Sequence, residues 1–293
     1  MEPIKINFRD QIASNKRKSY LLMFIIFLTF IALAYVITLA TAPGYFFIIM
    51  IFGIIFSLSY LLITYYNSDK ISIASTGAKK ARQSDYPDYH RLVEGLTIAA
   101  GLPKPELFIM HTPNINAFAS GRDPNHAVIC VTDGALEKLE RRELEAVLSH
   151  ELGHVANYDI KFMTLVTVMV GLIAITSEIF LRSLWFGGGR GKDKEQVIFM
   201  IIGIVLAILA PIAVYLIQMS ISRKREFSAD ATAVKFTRNP DPLIRALEKI
   251  GKENQPEKKL SKAVAPMFFA NPFKNMGSTH PPIEKRIEAL KRM

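Results

Sequence analysis

Along the chain, apolar residues gather into four long blocks, at 20–42, 45–66, 162–181 and 197–219, and do not recur at the spacing of amphipathic surface helices. Each block is about 20 residues long, enough at about 1.5 Å per residue to cross a hydrocarbon core of roughly 30 Å. One such block could be a buried helix of a soluble core. Four of them in 293 residues predict four transmembrane helices. The third carries Glu178 near its end, a carboxylate expected to face the protein interior or the interface. Lys16, Arg17 and Lys18 before the first block, and Ala40-Thr41-Ala42 at its end, look like parts of a secretory signal. The block is longer than a signal's apolar core, however, and the second follows after only Pro43 and Gly44. Residues 20–66 therefore read as a retained hairpin with a tight turn.

The polar stretches carry shorter periodicities. Residues 89–100 predict a helix ended by Gly101 and Pro103. Residues 106–111, 115–120 and 127–131 predict strands, the last after a turn at Asp123-Pro124-Asn125. Beyond Asp133 and Gly134 the spacing turns helical, and Leu144, Val147, Leu148, Glu151, His154 and Val155 form one stripe. Residues 251–262, rich in Lys, Glu and Pro, predict an exposed, mobile loop. The expected order is a basic tail (1–19), a membrane hairpin (20–66), one part of an α+β domain (67–161), a second hairpin (162–219) and the domain's other part (220–293).

Charge refines the topology. The formal net charge is +10, but the cations cluster beside the apolar blocks, as Lys16-Arg17-Lys18, Lys79-Lys80-Ala81-Arg82 and Arg223-Lys224-Arg225. That placement fits cytoplasmic flanks and attraction to anionic headgroups. No aromatic interleaving or nucleic-acid motif accompanies it, which excludes a nucleic-acid partner. The tail and both polar parts are thus placed on the cytoplasmic side of the cell membrane, against a discordant basic loop at 182–196. The single cysteine, Cys130, excludes an intramolecular disulfide and reads as a buried thiol.

The helical stripe holds the chemistry. His150-Glu151-Leu152-Gly153-His154 puts two imidazoles four residues apart on one helical face, where both can reach one ion, with a carboxylate between them able to act on water. Burying these groups without a partner would be costly, and a metal removes that cost. This is the core pattern of a zinc metallopeptidase, which needs a third protein ligand and an open position. Glu226 and Asp230 also lie four apart. Glu226 could ligate the ion while Asp230 accepts the free ring N–H of a ligand histidine. Taken alone, the pair reads more readily as a solvated helix face of mixed charge.

Together with Arg225-Glu226-Phe227-Ser228-Ala229-Asp230, Ser278-Thr279-His280-Pro281-Pro282 and Asn116-Ala117-Phe118-Ala119-Ser120-Gly121, the motif resembles the HtpX-type membrane metalloproteases, relatives of the CaaX prenyl proteases. The resemblance implies a mainly α membrane protein of four transmembrane helices with a small α+β zincin-type (gluzincin) domain on the cytoplasmic side. It also implies one zinc ion per chain held by His150, His154 and Glu226, with Glu151 as general base. His280 becomes the candidate oxyanion stabiliser and Arg286 a neighbour of the zinc. Asn116, on the strand expected to bind extended substrate, becomes a candidate contact to its backbone. His90, His111 and His126 show no ligand spacing.

Because His154 and Glu226 must meet, the spans between them must cross an even number of times, placing the zinc roughly 10–15 Å from the membrane. The expected function is a membrane zinc endopeptidase acting on misfolded or damaged membrane proteins. The alternatives are a processing protease for one membrane-bound peptide and an inactive zinc-bearing scaffold. A transporter is disfavoured, since the first, second and fourth blocks lack interior ionisable residues.

Overall fold

The computed structural model describes residues 43–163, 225–255, 267–270 and 280–293 continuously, with isolated positions between 13 and 39 and between 178 and 208. The first apolar block is described only at scattered positions and most of the third and fourth lie outside the described residues, so three of the four expected spans are not described as continuous helices. The second block is a helix, α1 (Phe46–Tyr66), led in by a 3-10 turn at Pro43–Tyr45. Among the described residues it alone is long and apolar enough to cross a membrane, and its apolar side chains are largely exposed, Phe47 by 78% and Phe52 by 69%.

After Asn67 the chain continues as α2 (Ser68–Thr76), stopped by Gly77 in the left-handed conformation at φ 67°. A short strand β1 (Lys79–Lys80) and α3 (Pro87–Ala100) follow. Pro87 suits the first helical turn, where its missing N–H costs nothing, and Gly101 ends the helix at φ 65°. Strands β2 (Glu106–Met110), β3 (Ala117–Gly121) and β4 (Ala127–Thr132) complete a four-stranded sheet of order β1-β2-β4-β3. β2 runs parallel to β4 with Glu106 opposite Val128, and β3 runs antiparallel to it with Ala117 opposite Val131. The three expected strands are thus present within two residues at either end. Two-residue β1 has no apolar pattern by which a sequence could announce it.

Every residue of β4 is buried, as befits a strand covered on both faces. One face carries the main core, where Ile129 and Val131 meet Leu92, Val93 and Leu96 of α3 and Val147, Leu148 and Leu152 of α5 (Arg141–Ala156). Each fully buried aliphatic side chain there contributes about 1.5–3 kcal/mol. On the other face Cys130 packs with Met110, Phe118, Met267 and Phe268, so the thiol is buried as expected.

A turn of helix, α4 (Asp133–Lys138), precedes α5. α5 begins in a capping box, with the Glu140 side chain accepting from the backbone at Glu143 and the Glu143 side chain accepting from the Glu140 N–H. Helical residues 225–237 form α6, followed by α7 (Asp241–Glu253) and α8 (Ile283–Leu290). The mobile loop expected at 251–262 is corrected in its first part. Residues 251–253 close α7, because its buried face extends to Ile250. Asn254 and Gln255 are then fastened by reciprocal bonds to Ile115 and Asn114, Asn254 Oδ1 accepting from Ile115 N at 2.8 Å and Gln255 N donating to Asn114 Oδ1 at 3.0 Å.

Candidate active site

Three parts of the chain converge at one buried point. α5 supplies His150, Glu151 and His154, all at most 4% exposed. Their helix can bury so many polar groups because Leu148 and Leu152 beside them anchor it in the core. α6 supplies Glu226 and Asp230, one turn apart on its inner face, and the C-terminal segment supplies His280 and Arg286. The α5–α6 contact is close, since a Cβ on Gly153 would lie 3.2 Å from Thr232 Cβ and 3.3 Å from the Ala229 carbonyl.

The two imidazoles stand nearly perpendicular, at 88°, with their Nε2 atoms 3.1 Å apart. Glu226 completes a triangle, Oε2 lying 3.6 Å from His150 Nε2 and Oε1 3.4 Å from His154 Nε2. The far side of each ring is held by a carboxylate. His150 Nδ1 lies 2.8 Å from Asp230 Oδ1, and His154 Nδ1 lies 3.2 Å from Asp159 Oδ2. With a carboxylate on the Nδ1 side of each ring, both Nε2 atoms are left facing Glu226. Asp230 is itself gripped by Arg286, whose Nε and Nη2 donate to its two oxygens at 2.9 and 2.7 Å, while Nη1 donates to the Phe269 carbonyl at 2.8 Å.

These contacts set the charges. Burial and the Arg286 cation lower His150 to about 4. Burial opposes the charge of His154 too, but Asp159 and Glu226 overcome it and raise the ring to about 10. Burial would raise Glu226; instead His280, His154 and Arg286 hold its carboxylate far below the usual range. Glu151 is pushed up to about 8, chiefly by burial, with His154 opposing and Glu226 adding to the rise. The Ala119 N–H also favours its charge without reaching hydrogen-bond geometry, so both Glu151 oxygens are buried without a hydrogen-bond partner.

Glu226 Oε2 is likewise buried without a hydrogen-bond partner. Orphaned buried oxygens beside two ring nitrogens are what a cation would relieve. The ring nitrogens lie 3.1 Å apart and each has one Glu226 oxygen at 3.4 or 3.6 Å, and one ligand atom from each of the three residues lies within 4.8 Å of the others, close enough to share one ion. The residues present therefore fit a metal ion.

The residues singled out in the sequence occupy these positions. Asp230 meets His150, Arg286 meets Asp230, and His280 Nε2 lies 3.8 Å from Glu226 Oε1. Asn116 stands elsewhere. It is 4% exposed, and its amide donates to the Ala270 carbonyl at 2.9 Å and accepts from the Ala270 N–H at 3.1 Å. Its side chain thus bonds to the chain's own residues 267–270. β3 stands at one edge of the sheet, where Phe269 N donates to the Ala117 carbonyl at 2.7 Å and Phe268 bridges to Phe118. His90, His111 and His126 make local contacts to the Ala81 carbonyl, Asp133 and Asp123.

Sequence reasoning missed Asp159 and Phe269 and gave Arg225 no role in the site. Phe269 presents its ring to His150 at 4.8 Å between centroids and lies under the Arg286 guanidinium. Asp159 sits beyond the end of α5, where no helical spacing points to it.

The comparisons agree with this geometry. The profile described as peptidase family M48 matches residues 83–293, the span that contains every group above. The protease HtpX homologue of Caldanaerobacter subterraneus subsp. tengcongensis is 43% identical, with 96% of each chain covered. That of Lactobacillus acidophilus is 42% identical over 97% of this chain and 99% of its own. The crystal structure of S. mikatae Ste24p shares the fold at a TM-score of 0.50 and 19% identity, covering 96% of this chain and 66% of that one. The chain belongs to peptidase family M48 and is a metalloprotease of the HtpX type.

Proposed function

We propose that this protein is an integral membrane zinc endopeptidase that cleaves misfolded or damaged membrane proteins from a site on the cytoplasmic side. The observation that carries the proposal is the buried triangle of His150, His154 and Glu226 with the orphaned carboxylate of Glu151 beside it. His150, His154 and Glu226 would hold one zinc ion, with Asp230 and Arg286 orienting the first of them. When bound, the ion supplies Lewis acidity, polarising a carbonyl and making water easier to deprotonate.

Glu151 takes the proton from the attacking water and returns it to the leaving amine, a role open to a carboxylate with no competing hydrogen bond. His280, whose Nε2 lies 3.8 Å from Glu226 Oε1, donates to the developing oxyanion. Substrate backbone pairs in extended form along β3. Main-chain pairing with few side-chain pockets suits a protease that takes unfolded segments of many proteins.

Membrane integration is supported by the exposed apolar surface of α1 and by the basic flanks of the apolar blocks. His154 and Glu226 meet although 162–219 separates them, which favours a second hairpin that leaves and returns on one side. The test compares cleavage of casein and of a membrane protein in detergent by wild type, Glu151→Gln and chelated protein. Glu151→Gln should keep its zinc and lose about 10²–10⁴ in turnover. A zinc-loaded Glu151→Gln that cleaves like wild type would overturn the mechanism. Cleavage of a peptide library at one sharp motif would replace the quality-control role with a processing role.

A further inference from the structure

We propose that Asp159 and Arg225 are positioning residues for the metal site: Arg225 holds Asp159, and Asp159 holds His154 in the orientation that presents Nε2 to the ion. The inference deepens the reading of His150, His154 and Glu226 as a metal centre and rests on it.

The argument begins with the backbone. α5 ends at Ala156, and Tyr158 then adopts φ 58°, a left-handed conformation that non-glycine residues rarely take. That step turns the chain back so that Asp159, five residues beyond His154, comes within 3.2 Å of its Nδ1. The Lys16 ammonium lies 4.0 Å over the Tyr158 ring at the same corner. Asp159 is fully buried, and its other oxygen faces Arg225 Nε at 3.4 Å.

Arg225 is 4% exposed, and its guanidinium lies 3.8 Å over the Phe162 ring. Neither of its Nη atoms has a hydrogen-bond partner. A buried guanidinium left so incomplete is a poor device for stability alone. It is well placed for one task, since it immediately precedes Glu226 and faces the carboxylate that orients His154.

The arrangement repeats the one on the other side of the site. His150 is backed by Asp230, and Asp230 by Arg286; His154 is backed by Asp159, and Asp159 by Arg225. Each ring N–H thus has a carboxylate, and each carboxylate a guanidinium. Carboxylates behind metal-binding histidines fix the tautomer and raise the basicity of the ligating nitrogen. The two pairs differ in location. Asp230 and Arg286 lie within the α6–α8 part of the domain, whereas Asp159 and Arg225 stand at the two points where the chain leaves for, and returns from, the 162–219 segment. Asp159 and Arg225 therefore tie those two chain ends to one ligand.

The test measures zinc affinity of the full chain in detergent, by competition with a chromophoric chelator at fixed pH. Asp159→Ala should bind zinc about 10–100-fold more weakly. Asp159→Asn, which can still accept the ring N–H, should lose less, and Arg225→Met should add nothing in the Asp159→Ala background. In a His154→Ala background Asp159→Ala should cause no further loss, whereas a merely structural role would lower affinity there too. If Asp159→Ala does not fold, the isosteric Asn variant decides, with the visible spectrum of the cobalt-substituted protein expected to shift. Zinc affinity within twofold of wild type, with an unchanged cobalt spectrum, would overturn the inference. Wild-type affinity in His154→Ala and Glu226→Gln would overturn the metal reading, and this inference with it.

Discussion

Replacing Arg286 with Met tests how much of the site's stability depends on a single buried cation. The side chain is 1% exposed and donates to both Asp230 oxygens at 2.7 and 2.9 Å and to the Phe269 carbonyl at 2.8 Å, with His150 Nδ1 3.3 Å from Nη2 and Glu226 Oε2 3.4 Å from Nη1. Methionine fills much of the same volume, so the loss is electrostatic. Asp230 would remain buried as a carboxylate with only His150 beside it, and removing one partner of a buried ion pair costs about 3–5 kcal/mol. Lysine keeps the charge but cannot make the forked contact, a loss of about 1.5–3 kcal/mol. At about 2–4 °C per kcal/mol for a domain of this size, the Met variant should unfold about 6–20 °C below wild type. The assay is thermal unfolding of chelated protein in detergent at one scan rate. The double variant Arg286→Met, Asp230→Asn should regain part of the loss, because it no longer strands a charge. A Met variant within 2 °C of wild type, or a double variant at the sum of the singles, would refute the reasoning.

Gly134→Ala should be strongly destabilising, by about 1–3 kcal/mol and towards the upper end. Its new Cβ would lie 2.2 Å from the Pro113 carbonyl oxygen and 2.6 Å from that of Asn114, both backbone atoms with little room to move; an unchanged melting temperature would count against it. Burial alone would raise the Glu143 carboxyl, yet Lys249 at 2.7 Å, the Glu140 N–H and Arg245 lower it below its ordinary value. Its stabilisation is therefore fully present above the unfolded carboxylate value of about 4.3 and lost as pH falls through the lower folded value. Glu143→Gln should cost about 1.5 kcal/mol at pH 7 and nothing at acid extremes, measured by melting temperature against pH. His280→Phe should retain zinc and lose about 10²–10³ in turnover; unchanged cleavage would remove His280 from the site.

Local patterns carried much of the architecture. Residues 106–110 and 127–132 are apolar runs bounded by turn residues, and the structure has strands there. A stripe through Leu144, Val147, Leu148 and His154 is one face of a helix wherever it packs, so the pairing of His150 with His154 was legible from spacing alone. Glu226 and Asp230 share a face for the same reason, but their meeting with α5 was not fixed by the residues themselves. It depends on the packing of α6 at Gly153; the residues offered it as one of two readings, and the family resemblance favoured it.

The chain by itself determined which groups could bind a metal, because helical periodicity fixes relative positions over four residues. Tertiary structure decided which groups orient them. Asp159 reaches His154 through a left-handed step at Tyr158, and Arg286 reaches Asp230 from α8. Asn116 shows the reverse. Its motif suggested a contact to extended backbone, and the structure supplies one from the chain's own Ala270. Such contacts join residues far apart in sequence or across a break in regular structure. Their geometry arises from the packing of α5, α6, the sheet and α8 around one buried point, and no local spacing encodes it.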